Sequence, residues 1–215
     1  MTYLDMINSI LLRLRERRVE TYNQTDYSSL IGIFINDAVN KVETSWSWSA
    51  LRTTLSASTV SSTFSYELNG VRQDLTVLDV INDTSNFFLK YKDAHSFNDL
   101  FLTGTPATGA PRYYSFNGVS TDGDTQVDLY PIPDGVYDLR FNVVGRSLPL
   151  DTDVSKIIVP HLPVELLAYA MAVEERGEDG GINPVSAFTI ASSAMSDAIA
   201  LDAMKHPEET LWVGV

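Results

Sequence analysis

Mixed α+β structure is the fold class this sequence predicts, and three observations carry it. Apolar residues recur at helical spacing near both ends of the chain. Between about Leu51 and Val144 the period drops to two. Turn dipeptides and Gly/Pro clusters punctuate that middle block. Helices flanking a strand block pack naturally on one another, so the expected architecture is a helical bundle with an inserted antiparallel β-sandwich or barrel-like domain. The expected division is 1–50 and 160–207 for the bundle, 51–150 for the β domain and 208–215 for a C-terminal extension.

The first helix opens with Thr2 and Asp5 at capping-box spacing. Leu4, Ile7, Leu11 and Leu14 then mark one apolar face, and Arg13, Arg15, Arg17 and Arg18 crowd the last turns, where cations suit the helix dipole. A second helix, capped by Asp26 or Ser28, places Ile31, Phe34, Ala38, Val42 and Trp46 on one side. Trp46 and Trp48 close it as core anchors.

In the middle block, Phe64, Tyr66 and Leu68 alternate with polar residues and meet Asn69-Gly70, a hairpin signal. Leu75–Ile81, Phe87–Tyr91, Arg112–Phe116, Gln126–Tyr130 and Val136–Val144 read as further strands. Asp93–Leu102 fits a short helix or a compact loop. Residues 145–160, with Pro149, Asp151, Asp153 and Pro160, read as a linker.

Pro163 near its first turn and the stripe Leu166, Leu167, Ala170 and Val173 define a third terminal helix, which Gly177 closes and Gly180-Gly181 follows. Asn183-Pro184 starts a fourth, rich in Ala187, Ala191, Ser192, Ala194 and Ala198, which Pro207 ends.

The chain has 215 residues, 44% hydrophobic and 20% charged, which suits a packed core. There is no cysteine, so disulfides and thiolate metal sites are excluded. No apolar run approaches the roughly 20 residues a membrane helix needs, and the N-terminus lacks a signal-peptide pattern. A net charge of -13 argues against general nucleic-acid binding. The charge is uneven: residues 1–52 balance six basic against six acidic side chains, whereas residues 163–215 set two against nine.

Catalytic patterns are missing. His95, His161 and His206 each fall near a helix end, without zinc-ligand spacing. No Gly-x-Ser-x-Gly elbow or dinucleotide fingerprint occurs. The loop after Thr103 lacks the Gly-Lys-Ser/Thr ending that cradles phosphate. Asp122, Asp124 and Asp128 alternate as calcium ligands do, but Val127 and Pro133 stand where that loop needs Gly and Glu, so a turn is expected. No catalytic residue, cofactor or metal is expected.

The segments Pro111-Arg112-Tyr113-Tyr114-Ser115-Phe116 and Leu129-Tyr130-Pro131-Ile132-Pro133, with Tyr137-Asp138-Leu139-Arg140-Phe141 beyond, resemble phage head-to-tail adaptors of the tail-tubular-protein-A-like group. Leu148–Asp153, Pro163–Val173 and Val42–Trp48 are similar too. The matched residues make turns and packing contacts. The resemblance implies a structural virion protein of the phage neck, assembled in the host cytoplasm. It implies a twelve-subunit ring between portal and tail hub or tube, with DNA passing through the lumen without specific binding and no membrane. On that reading Leu211, Trp212 and Val213 form a segment that docks on the portal or a neighbour, and Glu174, Glu175, Glu178 and Asp179 face the lumen. The competing expectation is a β-sandwich module that binds a ligand or carbohydrate, suggested by the Trp-, Tyr- and Asn-rich strands.

Overall fold

A computed structural model describes residues 1–69, 75–102, 104–177 and 184–205. The chain divides into two compact units, Met1–Ala50 with Leu148–Val215, and Leu51–Ser147. The described residues form five α-helices and two four-stranded sheets, so the class is α+β. The two sheets remain separate, which rules out the closed-barrel alternative.

In the helical unit, α1 (Tyr3–Arg13) begins with the expected reciprocal cap: the Asp5 N–H donates to Thr2 Oγ1 at 3.2 Å, and the Thr2 N–H to Asp5 Oδ2 at 3.1 Å. Tyr3, Met6, Ile7, Ile10 and Leu11 form the buried stripe; Leu4 and Leu14 sit half-buried at its edges. The helix stops at Arg13, so Arg15, Arg17 and Arg18 lie beyond it and do not serve its dipole as expected. Arg13 pairs with Glu165 at 2.9 Å, which also accepts the Ser9 hydroxyl at 2.6 Å.

The cap of α2 (Asp26–Ser45) is Thr25, one residue ahead of the expected Asp26. Ser28 enters as the reciprocal partner rather than the cap itself. Ile31, Ile35, Ala38, Val39 and Val42 are buried, and Phe34 is at the margin. A Cβ on Gly32 would collide with the Tyr3 hydroxyl, so any larger residue there would push the Tyr3 ring aside. Burial, with a smaller contribution from nearby Tyr22, pushes the Tyr3 phenol up to about 12.

Residues 148–160 are no linker. Leu150, Ile157 and Val159 are buried. Asn36 receives the Leu150 N–H at 2.8 Å and donates to its carbonyl at 3.1 Å. Asp153 accepts the Tyr22 N–H at 2.7 Å. The segment supplies both polar partners and core side chains, which a tether between domains would not do. It leads into α4 (His161–Arg176), which buries Val164, Leu167, Ala168, Ala170, Ala172 and Val173. Gly177 ends α4 with φ 60°, the left-handed stop expected of glycine there. The last described helix is α5 (Pro184–Ala203).

In the β unit the strands are β1 (Arg52–Ser58), β2 (Ser65–Leu68), β3 (Leu75–Asn82), β4 (Phe87–Phe88), β5 (Lys90–Tyr91), β6 (Tyr113–Val119), β7 (Thr125–Tyr130) and β8 (Asp138–Gly145). One sheet runs β1-β8-β3-β4 and the other β2-β7-β6-β5. Pairing is antiparallel except β5 with β6, which is parallel. The hairpin expected at Asn69-Gly70 does not form, because β2 and β3 belong to different sheets; Gly70 lies outside the described residues. Leu68, Val80, Leu89, Tyr114, Val127, Leu129, Leu139, Phe141 and Val143 make a single buried cluster drawn from both sheets. Of the two alternatives for 93–102 the helix forms, as α3 (Ala94–Leu102), with the Asp93 carboxylate accepting the Ser96 N–H at 3.0 Å.

Candidate functional site

The least covered element of the helical unit is α5. Of its twenty residues only Ala187, Ala191 and Asp202 are buried. Val185, Ile190 and Leu201 are 69%, 53% and 67% exposed, although each is a large aliphatic side chain. At 100° per residue, Ile190, Ala194, Asp197 and Leu201 share one side. Val185, Phe188, Thr189, Ser192 and Ser196 share the opposite side. The first side meets Leu162, Pro163 and Leu166 of α4 to form an apolar groove of about 470 Å³. The second lines a more polar depression.

α5 is also long and apolar enough, by length and composition, to cross a membrane. The expectation that no run reaches that length is corrected here: Ala, Met and Phe between the aliphatics keep the average high, while the interspersed serines break up any continuous apolar block.

The C-terminal end of α5 is pinned. Asp202 accepts the Ser49 N–H at 2.9 Å, the Ser49 hydroxyl at 2.6 Å and Lys205 Nζ at 3.0 Å. Burial raises the Asp202 pKa, but the two Ser49 hydrogen bonds and the Lys205 ammonium outweigh it, and the carboxyl stays below its ordinary value. Ser45, at the end of α2, donates to Met195 Sδ at 3.3 Å. One face is therefore anchored while two others are presented.

Glu174 and Glu175 are exposed in the last turn of α4, where the Gly177 N–H bonds the Glu174 carbonyl at 3.2 Å. Glu178 and Asp179, like Leu211, Trp212 and Val213, lie outside the described residues, as do Asn183, Pro207 and the 208–215 extension.

In the β unit the Asp122 region is a turn. Ser120 takes the Gly123 N–H at 3.1 Å on its carbonyl and the Asp124 N–H at 3.3 Å on its hydroxyl, and Gly123 has φ 89°. Asp128 sits in β7 opposite Ser65 and Ser115, with one carboxylate oxygen buried and unpartnered among the described residues. The three aspartates do not converge, and no three His, Asp or Glu side chains gather to hold a metal among the described residues. His95 is exposed 3.9 Å from Asp99, and His161 is the first residue of α4; His206 lies outside the described residues.

The sequence alone picks out the small residues of α5 but not its two presented faces. The available signal was the spacing of Val185, Ile190 and Leu201, which fit no single stripe.

A family model described as SU10 adaptor protein matches residues 1–208. No curated protein matches the chain. A match over nearly the whole sequence shows the family, and it agrees with the resemblance carried by the strands and turns around Tyr113 and Pro131. The chain belongs to the SU10 adaptor protein family of bacteriophage head-to-tail adaptors, structural proteins of the virion at the head–tail junction.

Proposed function

We propose that this chain is one subunit of a closed ring in the phage neck, joining portal to tail hub or tube and surrounding the passing DNA. One observation carries the reading: α5 offers two opposite, uncovered faces. A ring of identical subunits needs two different patches per copy, each meeting the other on the next copy. We propose twelve copies per ring, the number that the resemblance to head-to-tail adaptors implies.

In this proposal the subunit is a helical bundle carrying an inserted β-sandwich. The order of elements along the chain supports the bundle, and the core shared by both sheets supports the sandwich. The helical unit meets the portal and the β unit meets the tail. Leu211, Trp212 and Val213 dock on the portal or an adjacent copy, and the subunits assemble in the host cytoplasm.

Mixing the purified chain with portal and weighing the complex by native mass spectrometry tests this. A ring added to the portal is expected, and a chain that stays alone overturns the proposal. In the same assay, deleting 208–215 should leave helix content unchanged while weakening attachment; equal attachment removes the docking role.

Glu174, Glu175, Glu178 and Asp179 are proposed to face the lumen, where like charge keeps DNA from adhering. Carboxylates at a helix C-terminus oppose the dipole, by about 0.3–1 kcal/mol each at an exposed site, so helix stability does not account for Glu174 and Glu175. Virions carrying Glu174→Gln, Glu175→Gln, Glu178→Gln and Asp179→Asn are expected to eject DNA more slowly in a bulk ejection assay. Unchanged ejection would leave these acids as solubilising groups.

A further inference from the structure

The loop that follows α1 is strongly basic in a chain whose net charge is -13. Arg15, Arg17 and Arg18 are exposed, and none of them forms an ion pair among the described residues. The one acid among them, Glu16, is already taken by Arg176 at 3.1 Å. Like charges crowded into so short a stretch repel one another. They also lie past the end of α1, so neither pairing nor the helix dipole accounts for them.

The loop is held firmly from beneath. The Arg15 N–H donates to the Leu12 carbonyl at 3.1 Å and the Glu16 N–H to the Leu11 carbonyl at 2.8 Å, the bond pair that closes a helix around a left-handed residue. That residue is Arg15, with φ 61°, where glycine is usual because a Cβ is strained there. Glycine would close α1 with less strain, so an arginine at this place points to a use for its side chain. Arg176 Nη1 donates to the Leu14 carbonyl at 3.1 Å. Beyond the arginines, the Asn8 amide clamps buried Val19, accepting its N–H at 2.8 Å and donating to its carbonyl at 3.0 Å. A backbone fixed at both ends has little freedom left to lose when the guanidiniums meet a ligand.

We infer that Arg15, Arg17 and Arg18 form a phosphate-gripping loop whose ligand is the sugar–phosphate backbone of DNA. A guanidinium presents a planar fork that matches a phosphate, and the basic residues of this loop are all arginine. Three residues of extended chain reach about 10 Å, a length over which a duplex carries about six phosphates. The loop therefore meets phosphates in any register and reads no sequence. An acidic protein would need carboxylates placed to match, whereas a duplex supplies its charge continuously. The loop lies on the flank of α4 that carries Glu165 and Arg176, which bond Arg13 and Glu16. Glu174 and Glu175 are about 160° and 100° round the helix from Arg176, off that flank. That the ligand is the DNA passing through the neck rests on the proposed adaptor role; the affinity of the loop for phosphate does not.

Fluorescence anisotropy of a short labelled DNA duplex, titrated with the full chain at several sodium chloride concentrations, tests the loop. Three phosphate contacts predict a slope of about -2.7 in log K against log salt. The triple variant Arg15→Gln, Arg17→Gln, Arg18→Gln should bind about tenfold more weakly or worse, with a slope close to zero and unchanged helix content. Arg17→Gln with Arg18→Gln leaves the cap of α1 untouched and should already bring the slope to about -0.9.

A slope that these variants leave unchanged overturns the inference, as does a parent chain that ignores the duplex at low salt. Poly-glutamate that displaces the duplex at equal charge concentration overturns it too, and gives the loop to an acidic protein. Attachment to the portal is scored in its own assay. A chain that binds the duplex but never joins the portal keeps the phosphate site and loses the neck role.

Discussion

Trp48→Ala is expected to cost the helical unit about 3–5 kcal/mol, the range for removing a fully buried large aromatic. The Trp48 side chain has no exposure, and its Nε1 donates to the Val42 carbonyl at 2.7 Å. That carbonyl is in the last turn of α2, where helical partners run out. The indole thus fills volume and closes a helix end at once, and alanine would leave both a cavity and a bare carbonyl. The same carbonyl also accepts the Ser45 hydroxyl at 2.6 Å, which softens the polar part of the loss and leaves the cavity dominant. Trp46, two residues earlier, is only half-buried as the cap of α2, so Trp46→Ala should cost about 1 kcal/mol. Urea unfolding followed by far-UV circular dichroism separates the two. Equal losses would show that Trp48 is not the anchor.

The two tryptophans also mark where sequence reading reached its limit. Their role as anchors follows from type and position, but which one points inward depends on the reversal after Ser45, and that is a tertiary matter. Local chemistry was readable where it is self-contained. The Thr2–Asp5 box and the Gly177 stop each need only residues within one turn, and both stand as expected. The Asn69-Gly70 hairpin failed for the opposite reason. Its turn propensity is local, whereas the choice between pairing β2 with β3 or with β7 is made by burial on two sheets. Asn36 and Asp153 show the same limit. Their bonds to Leu150 and Tyr22 span more than a hundred residues and turn a linker-like stretch into core. For the candidate site, the composition of α5 was plain, but its exposure could not be read. Ala, Ile and Leu in a helix predict burial until the neighbours are counted, and among the described residues α5 is buried along one face only.

In the β unit, Phe141→Ala is expected to cost about 3–5 kcal/mol. Phe141 is 1% exposed on β8, with a paired strand on each side. Leu55 of β1 and Val80 of β3 stand directly opposite it. Its ring meets Tyr114 of the other sheet edge-on, with centroids 6.5 Å apart. That position joins both sheets in one cluster, so truncation removes contacts along the sheet and across to the second one. Phe116 of β6 provides the contrast. It is 36% exposed and touches Tyr91 and Tyr114 at the rim, so Phe116→Ala should cost about 1 kcal/mol. Native-state hydrogen exchange of amides in β7 and β8 resolves the difference. Phe141→Ala should lower their protection by roughly two to three and a half decades, since each 1.4 kcal/mol is a factor of ten. A change confined to β8, with β7 as protected as before, would mean that the two sheets hold their cores separately and would overturn the reading of one cluster shared between them.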